Sequence, residues 1–106
     1  MATVPAGFVH QGQLGREVAK AIRKLGKDVV RVNYSLGEDS TGEPSIDFRI
    51  VLTDRASKEN RLLAVTQRIV DTLFDELRPH ENWGLLPYFS FRSKSEQEER
   101  NDPEWA

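Results

Sequence analysis

Val29-Val30-Arg31-Val32-Asn33-Tyr34-Ser35-Leu36 and Ile46-Asp47-Phe48-Arg49-Ile50-Val51-Leu52-Thr53 stand on either side of Gly37-Glu38-Asp39-Ser40-Thr41-Gly42-Glu43-Pro44. Both flanking runs alternate with period two and are rich in β-branched and aromatic residues, the pattern of strands with one buried face. Val30, Val32, Tyr34 and Leu36 fall on one face of the first, and Ile46, Phe48, Ile50 and Leu52 on one face of the second. The segment between them is dense in turn formers and acidic groups, so the stretch reads as an antiparallel hairpin over 29 to 53. Its loop, 37 to 44, is longer than the tightest hairpins use and is expected to be mobile, projecting as a candidate recognition loop.

Upstream, Leu14, Val18, Ala21, Ile22 and Leu25 step with the spacing of one helix face, predicting a helix over 13 to 25 that Gly26 ends. Downstream, Leu62, Thr66, Ile69, Val70, Leu73 and Leu77 predict a longer helix that Asp54 or Ser57 would cap and Pro79 would stop. Its other face, with Arg61, Arg68 and Asp71, reads as ordinary solvated surface containing an Arg68–Asp71 pair. After a loop over 79 to 84, Pro87-Tyr88-Phe89-Ser90-Phe91-Arg92 returns to period two as a third strand, Phe89 and Phe91 inward. The expected fold is α+β, a single two-layer domain of α-β-β-α-β order with a three-stranded sheet and two helices on one face. The domain spans 13–92, an N-terminal arm 1–12, and an acidic flexible tail 93–106.

The chain has 106 residues and 12.1 kDa, enough for one core, with a net charge of -2. The tail holds two basic and five acidic residues, leaving thirteen and twelve in the rest, so the body lacks the charge excess that duplex DNA binding demands. The absence of cysteine excludes disulfides, thiolate metal sites and a cysteine nucleophile, and fits a cytoplasmic setting. No basic-plus-apolar leader opens the sequence and no apolar run approaches membrane length, so neither a signal peptide nor a membrane span is expected. His10 and His80 have no partner at metal-ligand spacing, and no nucleophile elbow, phosphate-cradling glycine loop or calcium-loop spacing occurs. The expectation is a chain that is not an enzyme and uses neither metal nor cofactor.

On the outward sheet positions, Arg31, Arg49 and Arg92 share one polar face with Tyr88. Guanidinium forks grip phosphate or carboxylate and a tyrosine ring can stack on a base, so these four are the candidate binding residues. The same face is also what an antiparallel sheet normally shows water, with Asp47 set to pair across strands with an arginine. Arg16, Lys20, Arg23, Lys24 and Lys27 give the first helix a basic stripe, over which the acidic tail could fold back. Trp83 is expected to close one end of the core beside Phe74 or Leu85. Trp105, at the end of a polar tail, either docks on the body, anchors a partner, or is disordered.

The order helix, strand, strand, helix, short loop, strand over most of residues 13 to 92 resembles the type II K-homology arrangement, as in ribosome-binding factor A. The G-x-x-G signature is absent from Pro79 to Gly84, so the likeness is one of topology and carries no site residue with it. The same order is also a ferredoxin-like fold lacking its first strand. Separately, Asp39-Ser40-Thr41-Gly42-Glu43-Pro44 with Phe48-Arg49-Ile50-Val51-Leu52 and Pro87-Tyr88-Phe89-Ser90-Phe91-Arg92-Ser93 resembles a group of small bacterial proteins of unassigned function. The reading preferred on sequence is a small non-enzymatic protein-interaction module, a protein partner being favoured over nucleic acid. The alternative is a small RNA-binding or ribosome-associated domain.

Overall fold

In the computed structural model, which describes residues 4–106, α1 (Ala6–Val9) and α2 (Gln11–Arg23) come first. The strands β1 (Val29–Glu38) and β2 (Pro44–Leu52) follow, then α3 (Glu59–Leu77), α4 (Pro79–Trp83) and β3 (Leu86–Ser93). The chain continues into α5 (Lys94–Arg100) and a 3-10 turn at Pro103–Trp105. β2 is the middle strand of a three-stranded mixed sheet, antiparallel to β1 and parallel to β3. A parallel neighbour cannot be reached through a tight turn, and α3 with α4 makes the crossover. Among the described residues, no helix is long and apolar enough to cross a membrane.

The core lies on the face that the alternation predicts. Ile46, Phe48, Ile50 and Leu52 of β2 pack in one cluster with Leu14, Val18 and Ala21 of α2 and with Val65, Ile69, Leu73 and Leu77 of α3. Phe48 stacks on Phe89 of β3 at 5.3 Å between ring centres, which locks the parallel pair through side chains as well as main chain. Trp83 and Leu85 complete the core near α4, as expected for Trp83, whereas Phe74 stays exposed.

Four details depart from the periodicity. In β1 the register shifts between Val29 and Arg31, so Val29 packs against the core and Val30 is left outward. One inserted residue exchanges the faces on either side of it, which is why simple alternation misplaced Val30. In α3 the buried row is Val65, Ile69, Leu73 and Leu77, an i,i+4 ridge with Leu62 and Val70 on its flank. Neither Asp54 nor Ser57 caps that helix: Lys58 is the N-cap residue, without a side-chain bond, and Asp54 accepts from Ser95 instead. The expected arm contains α1, where buried Gly7 lies so close to Leu85 that a β-carbon would collide with it; residues 1–3 of that arm lie outside the described residues.

The largest correction concerns residues 94–104, expected to hold no regular structure. Ser93 accepts a hydrogen bond from the Glu96 N–H at 3.1 Å and so caps α5, Asn101 ends it in the left-handed region at φ 50°, and Asp102 caps the following turn. The 79–84 connection is likewise helical rather than loop, with Pro79 at the first helical position. The expected α-β-β-α-β order therefore sits inside a longer order with three additional short elements and the closing turn.

Candidate functional site

Strand register builds the outward face in rows. Arg31 pairs with Val51 and Val51 with Arg92; Asn33 pairs with Arg49 and Arg49 with Ser90; Ser35 pairs with Asp47 and Asp47 with Tyr88. Arg31 and Arg92 thus flank Val51, with Arg49 two residues along the middle strand. The three arginines come together as the sequence suggests, on a face of the sheet opposite the helical core.

That face is not open. Val51 is buried although it lies outside the main core cluster, and what shares its burial there is Trp105. The C-terminal turn rests on β2 and offers its main-chain oxygens to the strands. Arg49 Nε donates to the Glu104 oxygen at 2.9 Å, Arg31 Nε to the Trp105 oxygen at 2.8 Å, and Asn33 Nδ2 to the Ala106 oxygen at 2.7 Å. Three successive residues of one segment are held by their backbones.

The fourth contact holds a side chain. The Arg92 guanidinium stands 4.2 Å from the centre of the Trp105 ring, and the Arg92 side chain is only 14% exposed, so this cation–π contact is partly shielded from water. Such a pair contributes about 0.5–2 kcal/mol depending on desolvation. Arg92 also donates to Gln97 Oε1 at 3.0 Å and meets Asp102 at 3.5 Å, while Gln97 Nε2 donates to the Asp102 main-chain oxygen at 2.9 Å. Gln97 is buried, and its amide bridges the cation to the turn that carries the tryptophan.

Tyr88 does not join the arginines. Its hydroxyl donates to Asp39 Oδ2 at 2.6 Å, and Asp39 Oδ1 accepts from the Thr41 N–H, the Thr41 hydroxyl and the Glu43 N–H at 2.9, 2.7 and 2.9 Å. These bonds favour the carboxylate, so the Asp39 pKa lies well below the ordinary carboxylate range, with the Tyr88 bond as the leading cause. The same bond pushes the Tyr88 phenol up. The connecting loop reduces to 39–43 and is cross-braced to β3, in place of the projecting loop expected from its length.

Asp47 forms no ion pair among the described residues; Arg49 donates instead to the Ser35 hydroxyl at 2.9 Å. The tail covers the sheet rather than the basic stripe of α2, where Lys20 and Lys24 pair with Glu17 and Glu76. Gln97 and Asp102 escaped the sequence reading, and of the three outcomes it left open for Trp105 the structure shows docking on the body. Two signals pointed to them: Ser93-Lys94-Ser95-Glu96 has the spacing of a helix N-terminus, and Val51 is an apolar residue on the polar face of a central strand. Among the described residues, no group of three His, Cys, Asp or Glu is placed to hold a metal ion. No protein-family model matches this chain, and no curated protein or solved structure is detectably similar to it.

Proposed function

We propose that this chain is a small non-enzymatic protein-interaction module whose sheet face, formed by Arg31, Asn33, Arg49 and Arg92, recognises a short polypeptide segment containing a large aromatic residue. The observation that carries the reading is the grip on the main-chain oxygens of Glu104, Trp105 and Ala106. A backbone contact is indifferent to side-chain identity, while the contact of Arg92 with the indole selects for an aromatic ring at one position. The protein's own tail occupies this face, and a partner segment of the same chemistry would compete with it at high effective concentration. The RNA-binding alternative rests on the K-homology-like order of elements and on the same arginines. With their donors directed at the tail, that reading has less support.

The test uses the chain ended after Arg100 and the synthetic peptide Asn-Asp-Pro-Glu-Trp-Ala. Saturable binding that falls at least about tenfold, or about 1.4 kcal/mol, when the peptide tryptophan is changed to alanine supports the proposal. Absence of binding to the truncated, folded chain contradicts it.

A further inference from the structure

At the end of the sheet where β1 begins and β2 finishes, two connections are tied together by their backbones. The Thr53 N–H donates to the Asp28 oxygen at 2.9 Å, and the turn after Thr53 is closed by bonds from Ala56 and Ser57 back to it, with Ala56 fully buried beneath. This frame supports a depression of about 390 Å3 lined by Lys27, Asp28, Thr53, Arg55 and Arg61. Its volume lies in the range of small-ligand sites, about 300–1,000 Å3.

The charge in it is unbalanced. Asp28 is approached by Arg68 at 3.0 Å and Arg61 at 3.4 Å, and Arg68 is fixed further by donating to the Leu25 oxygen at 2.9 Å. This corrects the expectation that Arg61 and Arg68 are merely solvated, and it leaves Asp28 as the single carboxylate in a lining shared with Lys27, Arg55 and Arg61. Among the described residues neither Lys27 nor Arg55 has a carboxylate partner. The acids nearest in sequence are turned elsewhere: Asp54 accepts from Ser95, and Glu59 lines a separate groove.

We propose that this depression binds a phosphoryl group carried by a small ligand. Three cations against one anion in the lining suit a multiply charged group better than a single carboxylate, and the guanidinium forks match its oxygens. Asp28 pairs with both Arg61 and Arg68. A nucleic-acid backbone, which would need phosphate contacts continuing beyond these lining residues, is the outcome the test must separate from a small ligand. The site shares no residue with the arginine face, so its failure and the failure of the peptide reading are separable.

Inorganic pyrophosphate, titrated into the full chain at constant ionic strength while the amide signals of Lys27, Asp28, Thr53 and Arg55 are followed, tests the assignment. Saturable shifts at these residues, weakened about tenfold or more in Lys27→Gln/Arg55→Gln with an unchanged melting temperature, support it. Arg55→Gln alone gives the same comparison at a single exposed loop position. Shifts that grow linearly, or that match those from added chloride, overturn the proposal. So does a single-stranded oligonucleotide that binds through these amides more tightly than pyrophosphate and with a salt slope of several phosphates.

Discussion

The two faces of the sheet are closed by different chemistry. On one, β2 presents Ile46, Phe48, Ile50 and Leu52 to the ridges of α2 and α3, and the contact is apolar throughout. On the other, a few residues of tail cover Val51, and the contacts are arginine and asparagine bonds to main-chain oxygens with one indole between them. Apolar interdigitation depends on shape and volume over a large area. A grip on backbone oxygens needs only a segment that can lie in the same path. The first face specifies the fold; the second is the one on which the proposed function rests.

If that contrast holds, the largest loss comes from the first face. Phe48→Ala removes a fully buried ring from the middle strand and its stack on Phe89, and should cost about 3–5 kcal/mol in denaturant unfolding. A cost below about 1 kcal/mol would show that β2 is not the centre of the core.

Truncation after Arg100 should cost less, about 1–3 kcal/mol, because the apolar burial of Trp105 is removed and Arg92 loses its ring while the main cluster is untouched. The melting temperature should fall by several degrees with unfolding still cooperative. The triple variant Arg31→Gln/Arg49→Gln/Arg92→Gln should cost a comparable amount, and combining it with the truncation should add little. Independent, additive losses would mean that the arginines stabilise the sheet by some route other than the tail.

The smallest effects belong to the brace between β3 and the hairpin. Asp39 has a folded-state pKa below its ordinary 3.8, so its contribution is complete above that value and is lost as pH falls toward the folded-state pKa. Tyr88 is shifted the other way: its contribution is complete below the ordinary phenol value of 10.0 and is lost as pH rises through its elevated folded-state pKa. Tyr88→Phe should therefore flatten both ends of the stability profile while moving the midpoint at pH 7 less than the tail variants do. An unchanged acid limb would indicate that Asp39 is held by Thr41 and Glu43 alone.

The helical core face was legible from residue spacing because burial there is dictated by period: three runs of period two mark the strands and two of period 3.6 mark α2 and α3. What spacing hid was local. The bulge at Val30 depends on one inserted residue, and the exposure of Leu62 depends on which of two adjacent ridges of α3 faces inward. The candidate arginines were legible as a group because alternation puts them on one face, but their occupant was not. Charge counting marked 93–106 as a solvated tail, whereas short capped elements at Ser93 and Asp102 carry Trp105 back to the sheet. Capping residues and an apolar residue on a polar face say more about such a segment than its net charge does.

The most direct measurement is the proton spectrum of the Arg92 side chain in the intact protein, with and without Trp105→Ala. A guanidinium 4.2 Å from the ring centre places its neighbouring methylenes within the ring-current shift of the indole. The Arg92 resonances should be shifted upfield and show through-space contacts to the indole, both lost in the variant, together with slow exchange of the Arg31 and Arg49 Nε protons that the variant accelerates. Random-coil shifts for Trp105 and identical Arg92 resonances in the two proteins would contradict the docking of Trp105 on Arg92.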